Sequence, residues 1–170
     1  RDKVRLEGEK GVLLGAGGVA RAVAFLCVSK NVSRVYVLNR SIEKARALAL
    51  EVGEKTGKDC LYPMALSDYE NLPEEKFLAI QATSLGMYPN TGSAVIEDEA
   101  FYRKIHTGYE LIFNPARTRF MELVQAQGGR AFNGLKMLLY QGIIAYELWN
   151  QISVSEELAG EVYEVMKNKS

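Results

Sequence analysis

One stretch limits the possible folds of this chain more than any other: GVLLGAGGVARA, Gly11 to Ala22. An apolar run ends in a cluster of glycines and passes at once into a helix-forming pattern, which is the signature of a strand–turn–helix unit. Gly15, Gly17 and Ala20 take the G-x-G-x-x-G/A arrangement. Gly15 allows the tight turn, Gly17 brings backbone close to a phosphate without a Cβ in the way, and Ala20 keeps helix and strand near each other. Free N–H groups at the helix start, across Gly15, Ala16, Gly17, Gly18 and Val19, suit the negative charge of a pyrophosphate. A glycine turn by itself is often a plain connection. The strand before it and the helix after it raise the expectation to dinucleotide binding.

The remainder of the chain repeats the strand–helix rhythm. Strands are expected at Gly11–Leu14, RVYVLN (34–39), DCLYPM (59–64), KFLAIQAT (76–83), YELIFNP (109–115, stopped by Pro115) and RAFN (130–133). Helices are expected at VARAVAFLCVSK (19–30), SIEKARALALEVGEK (41–55, with Ser41 as N-cap) and TRFMELVQAQGG (118–129). Two more follow at GLKMLLYQGIIAYELW (134–149) and SEELAGEVYEVMKNK (155–169). This alternation predicts an α/β, Rossmann-like, doubly wound domain over residues 1–170, with a mainly parallel six-stranded sheet and helices on both faces. YPNTGS, Tyr88 to Ser93, reads as a loop.

The turn after the second strand carries the next chemical signal. An acidic residue at this place would hold both ribose hydroxyls of an adenosine and repel a 2′-phosphate. The sequence instead has Asn39, Arg40 and Ser41, with Lys44 one helical turn beyond Arg40. A guanidinium matches a phosphate through a planar fork of donors. Many arginines at helix starts are simply solvated, but the position of this one favours NADP over NAD.

Composition narrows the rest. The 170 residues are 48% hydrophobic and 25% charged, with a formal net charge of zero, so nothing points to nucleic acid or to an acidic membrane surface. No apolar run approaches a membrane span. Cys27 and Cys60 fit no metal or redox spacing, and no metal site is expected. An intracellular, cytoplasmic setting is the expectation. The chain starts at Arg1, which fits a piece of a longer protein.

In the late helix, Asn133 can cap and Gly134 leaves backbone open at the start. Gly134, Leu138 and Gln141 share a face. A glutamine on an apolar face needs partners if buried, because an unpaired amide there is costly. A hydrogen bond within the domain would meet that need; so would a substrate hydroxyl or carboxylate. Met137 lies beside this face and can reach a nicotinamide ring, although most such methionines are core. Lys136 points away from Gln141, and His106, the single histidine, is expected in a polar surface stretch before a strand.

GAGGVARA, NRS, QATSLGM, FNPARTRF and NGLKMLLYQG occur in the order seen in shikimate dehydrogenases. The chain resembles the C-terminal, NADP-binding domain of that family. The resemblance implies reversible hydride transfer between NADP(H) and the shikimate/3-dehydroshikimate pair, in aromatic amino acid biosynthesis. It also implies an N-terminal domain that shares the small-molecule substrate and carries a catalytic lysine and aspartate. No catalytic residue is then expected in this chain. Residue by residue, Gly15 to Val19 resemble the pyrophosphate loop, and Asn39, Arg40, Ser41 and Lys44 the 2′-phosphate clamp. Ala82, Thr83 and Leu85 resemble the segment beside the cofactor, and Leu111 a position on the nicotinamide side. Gly134 and Met137 fall at the nicotinamide end. Gln141 matches a glutamine that reaches the substrate. Phe113 stands where the family often has a substrate-contacting tyrosine, and Gln81 stands where the family motif usually begins with Asn.

The same motifs fit a quinate or mixed shikimate/quinate dehydrogenase. A glutamyl-tRNA reductase-type protein can carry a similar NADP domain, but NGLKMLLYQG argues against it. A non-catalytic nucleotide-binding module is a third alternative, disfavoured by Gln141.

Overall fold

The computed structural model describes residues 5–168. Six strands form one sheet: β1 (Lys10–Leu14), β2 (Arg34–Asn39), β3 (Leu61–Ala65), β4 (Phe77–Gln81), β5 (Ile105–Glu110) and β6 (Arg130–Phe132). Their order across the sheet is β3-β2-β1-β4-β5-β6, and every pairing is parallel. The chain runs outward from β1 to β3, returns to the middle, and runs outward again from β4. The reversal lies between β1 and β4, so a crevice opens at the C-terminal ends of these strands.

Among the described residues, six α-helices complete the fold: α1 (Gly18–Ser29), α2 (Ile42–Thr56), α3 (Glu99–Arg103), α4 (Arg119–Ala126), α5 (Leu135–Asn150) and α6 (Glu156–Lys167). Strand alternation sorts the core into two layers. Leu13, Val35, Val37, Leu78 and Ile80 pack with Ala20 and Ala24 of α1 and with Ala45 and Leu48 of α2. Val12, Leu14, Leu38, Phe77 and Ala79 face Phe101 and Tyr102 of α3 and Phe120 and Val124 of α4. Leu13, Val37 and Leu38 are completely buried, a placement that contributes about 1.5–3 kcal/mol for each such side chain. α5 packs mainly on α6 rather than on the sheet.

The sequence reading holds for the class of fold and for most elements. Its fifth strand is displaced. The sheet uses Ile105–Glu110 rather than 109–115. The chain leaves the ladder just after Glu110, whose Oε1 accepts the N–H of Ile112 at 3.1 Å in place of a neighbouring strand. His106 therefore lies within β5, not before it, and its ring bonds Glu9 at 3.0 Å and the Thr107 hydroxyl at 2.9 Å. The sequence reading also lacked α3 and a 3-10 turn over Leu66–Asn71. Both are shorter than two α-helical turns, too short for a hydrophobic period to show. The terminal helix was expected to run to Lys169, which lies outside the described residues.

Candidate functional site

The glycine turn has the geometry its sequence requires. Gly15 takes φ +113°, and a Cβ on it would lie 3.0 Å from the Ala82 carbonyl oxygen and 3.1 Å from the Thr83 methyl. Only glycine fits both the dihedral and the space. Gly17 and Gly18 have open space where a Cβ would stand. Gly17 caps α1 without any side-chain acceptor, and the first turn holds no acidic residue. The first N–H groups of α1 are thus exposed at a bare cradle with the positive end of the helix dipole behind it. Ala20 is fully buried against the sheet, the close packing expected of the third motif position. Val19 is exposed beside the turn.

The second-strand turn stands across a cleft of about 450 Å³ from this cradle, and Ala16, Gly17, Gly18, Asn39 and Lys44 all line it. The Asn39 amide donates to the Ser41 carbonyl at 2.9 Å, and the Ser41 hydroxyl accepts the Lys44 N–H at 3.4 Å. These bonds fix the turn and start α2. Arg40 is exposed at its apex. Among the described residues, neither Arg40 nor Lys44 has an ion-pair partner; Lys44 lines the cleft, while Arg40 and Ser41 belong to the adjoining turn and do not line it.

A third basic group was not anticipated. Arg21, in the first turns of α1, lines the same cleft and grips Glu51 of α2 with Nε at 3.1 and 3.0 Å from the two carboxylate oxygens. Lys55 reaches the same carboxylate at 2.6 Å. Hydrogen bonds from Arg21 and Lys55 hold the Glu51 carboxyl well below its ordinary value, at about 2. Arg21 is therefore already neutralised, unlike Arg40 and Lys44. Lys44, Leu48 and Glu51 share one face of α2, a spacing that could have revealed Glu51 in the sequence.

The residues expected nearer the nicotinamide fall into two groups. Leu111, Gly134 and Met137 line a second, larger opening of about 630 Å³, walled on its far side by Val23 and Leu26 of α1. Ala82, Thr83 and Leu85 belong to the turn after β4, and Ala82 and Thr83 lie against Gly15 of the glycine turn. Asn133 does cap α5, its Oδ1 accepting the Leu135 N–H at 3.1 Å. The start of α5 is not open, however. A Cβ on Gly134 would lie 2.2 Å from the Leu111 carbonyl oxygen, so this glycine serves close packing.

Gln141 and Phe113 line neither opening. Gln141 is exposed, so the burial penalty raised for its amide does not arise in this chain. It stands on a stripe of α5 with Met137, Ile144 and Leu148, which are exposed as well. Phe113 is 38% exposed after β5. Among the described residues, no group of His, Cys, Asp and Glu side chains can hold a metal ion, and no helix is long and apolar enough to cross a membrane. Cys27 and Cys60 are both free thiols, and burial pushes Cys27 up to about 11.

The pairing of Gln81 with Glu110 escaped the sequence reading. Gln81 and Glu110, paired across β4 and β5, are buried polar residues at the strand ends. Burial pushes the Glu110 carboxyl up to about 7, against the pull of the donors around it. A charged residue inside the apolar run YELIF was the available signal.

Strand order, glycine cradle and crevice together define a Rossmann-type nucleotide-binding domain. The family profile described as Shikimate / quinate 5-dehydrogenase matches residues 1–87, and the chain belongs to that family. A shikimate dehydrogenase (NADP(+)) of Carboxydothermus hydrogenoformans is 35% identical over 162 residues, which cover 88% of this chain and 52% of the relative. The crystal structure of a chorismate mutase/shikimate 5-dehydrogenase fusion protein from Clostridium acetobutylicum superposes with a TM-score of 0.82 at 30% identity, covering 98% of this chain and 57% of that one. A shikimate dehydrogenase solved in complex with NADP+ gives a TM-score of 0.77 at 31% identity, covering 94% of this chain and 55% of that one. The chain spans about half the length of the curated relatives it matches.

Proposed function

We propose that this chain is the NADP(H)-binding domain of a two-domain, cytoplasmic dehydrogenase that interconverts 3-dehydroshikimate and shikimate. The observation that carries the reading is one cleft with an uncapped helix N-terminus on one wall and Asn39 and Lys44 on the other, with Arg40 exposed in the turn that joins these two residues. The cradle suits the pyrophosphate, and the two unpaired cations suit the 2′-phosphate. The bound nicotinamide would supply the hydride. The chain's own residues hold and orient: Leu111, Gly134 and Met137 on the nicotinamide side, and Gln141 and Phe113 towards substrate held on the other domain. Acid/base chemistry falls to that other domain, where the family resemblance places a lysine and an aspartate.

Quinate stands as a second substrate, because the matching family profile covers both shikimate and quinate enzymes. Titration of the chain with NADPH and NADH, followed by nicotinamide fluorescence, tests the cofactor assignment. A charge-assisted hydrogen bond contributes about 1.5–3 kcal/mol, so Arg40→Ala should weaken NADPH by roughly tenfold or more and leave NADH nearly unchanged. Equal losses for both cofactors would remove Arg40 from the clamp. The chain alone should bind NADP(H) without oxidising shikimate; robust shikimate-dependent NADPH formation would overturn the two-domain division of labour.

A further inference from the structure

The ends of β4 and β5 carry a buried polar pair that the cofactor reading does not use. Gln81, Glu110 and Thr118 are each 1% exposed. Gln81 and Glu110 are register partners at the last rung of the two strands. The Gln81 amide oxygen accepts both the N–H and the hydroxyl of Thr83, each at 2.7 Å. Its nitrogen donates to the Leu85 carbonyl at 3.0 Å and to Glu110 Oε1 at 3.4 Å. Glu110 Oε1 also takes the Ile112 N–H, and Oε2 takes the Thr118 hydroxyl at 2.9 Å. That hydroxyl in turn caps α4 by accepting the Met121 N–H at 3.4 Å.

These partners are the backbone groups that leave the sheet at the crevice and lose their ladder bonds there. Two apolar side chains could fill the same space, but they would strand Thr83 N–H, Leu85 C=O and Ile112 N–H without partners. The segments held in this way are also the ones that touch the crevice. Ala82 and Thr83 lie against Gly15. The Leu111 carbonyl lies against Gly134, and the Ile112 carbonyl accepts the Gly134 N–H at 3.2 Å. The Asn39–Lys44 clamp stands on the β2 side of the switch point, so the far half of a dinucleotide must cross the ends of β4 and β5.

We propose that Gln81 and Glu110 are positioning residues for the nicotinamide half of the cofactor, setting the Ala82–Leu85 turn and the Leu111–Ile112 seat of Gly134 from beneath. The inference rests on the NADP(H) reading above. Its test uses two ligands, NADPH and adenosine 2′,5′-bisphosphate, the second of which carries the adenosine end alone. Glu110→Gln puts an amide among donors and should raise the NADPH Kd by about tenfold while the bisphosphate Kd stays within about twofold. Glu110→Asp, which keeps the acceptors, should lose less. Gln81→Met fills the space without the amide and should repeat the selective loss; it decides the matter if Glu110→Gln does not fold. Equal losses for both ligands would show a merely structural role and overturn the inference, as would unchanged NADPH affinity. Binding of neither ligand by the unsubstituted chain would overturn the dinucleotide reading itself, and this inference with it.

Discussion

Glu110 holds a carboxyl where water does not reach, and desolvation outweighs the N–H and O–H donors turned towards it. Its carboxyl moves from an ordinary 4.5 to about 7. The folded chain therefore binds this proton more tightly than the unfolded chain does. The contribution of Glu110 to stability is most favourable below pH 4.5, declines as pH rises from there to 7, and is level above that. A shift of this size corresponds to at most about 3 kcal/mol. Urea denaturation of the unsubstituted chain and of Glu110→Gln, run at several pH values, should show a stability gap that changes by up to that amount across the window. Two curves that stay parallel would mean that Glu110 titrates alike in both states. Glu51 shows the opposite case. Its carboxyl is depressed to about 2 by Arg21 and Lys55, so its contribution is present above the ordinary value and is lost as pH falls towards 2. The two carboxylates thus act in separate pH windows.

At the scale of elements, the start of α5 depends on one missing methyl group. Gly134 sits with its Cα against the Leu111 carbonyl, leaving 2.2 Å for a Cβ where about 3 Å is the least tolerated. Gly134→Ala must push α5 off the 111–112 segment. Overpacking of this kind costs about 1–3 kcal/mol, which for a domain of this size is roughly 2–12 °C in Tm. A thermal melt monitored by circular dichroism reads it directly, and an unchanged Tm would show that α5 is free to move. The sequence showed that a glycine opened this helix but not the reason, because the obstructing carbonyl lies some twenty residues upstream. The same limit explains the fifth strand. ELIF has the apolar, β-branched look of a strand, yet a side chain of its own first residue takes the Ile112 N–H and ends the ladder. Local pattern placed the glycine turn and the first two strand–helix units, where the governing contacts are between neighbours. It missed the Gln81–Glu110 network, where partners come from three separate segments.

For the molecule as a whole, α5 and α6 mark where the fold is incomplete as a surface. α5 carries Tyr140, Ile144 and Leu148 at helical spacing, with Ile144 55% and Leu148 72% exposed. Trp149 is 84% exposed at the helix end, and Leu158, Val162 and Val165 of α6 are open as well. A run of large apolar side chains of this kind on one helix pair marks an interaction surface. In the proposed two-domain enzyme the other domain covers it, and Gln141, standing on the same stripe, is then brought to the substrate. The chain alone has no such cover. It should self-associate as concentration rises, which sedimentation velocity over a hundredfold range would reveal as a growing sedimentation coefficient. Ile144→Glu with Leu148→Glu should return it to a monomer, and the change in folding stability should stay within about 0.5 kcal/mol because both side chains are already in water. The double variant should also keep its NADPH affinity, since neither residue lines the cleft or the larger opening. A chain that stays monomeric throughout would show that this face needs no partner, and the placement of Gln141 at a domain interface would fall with it.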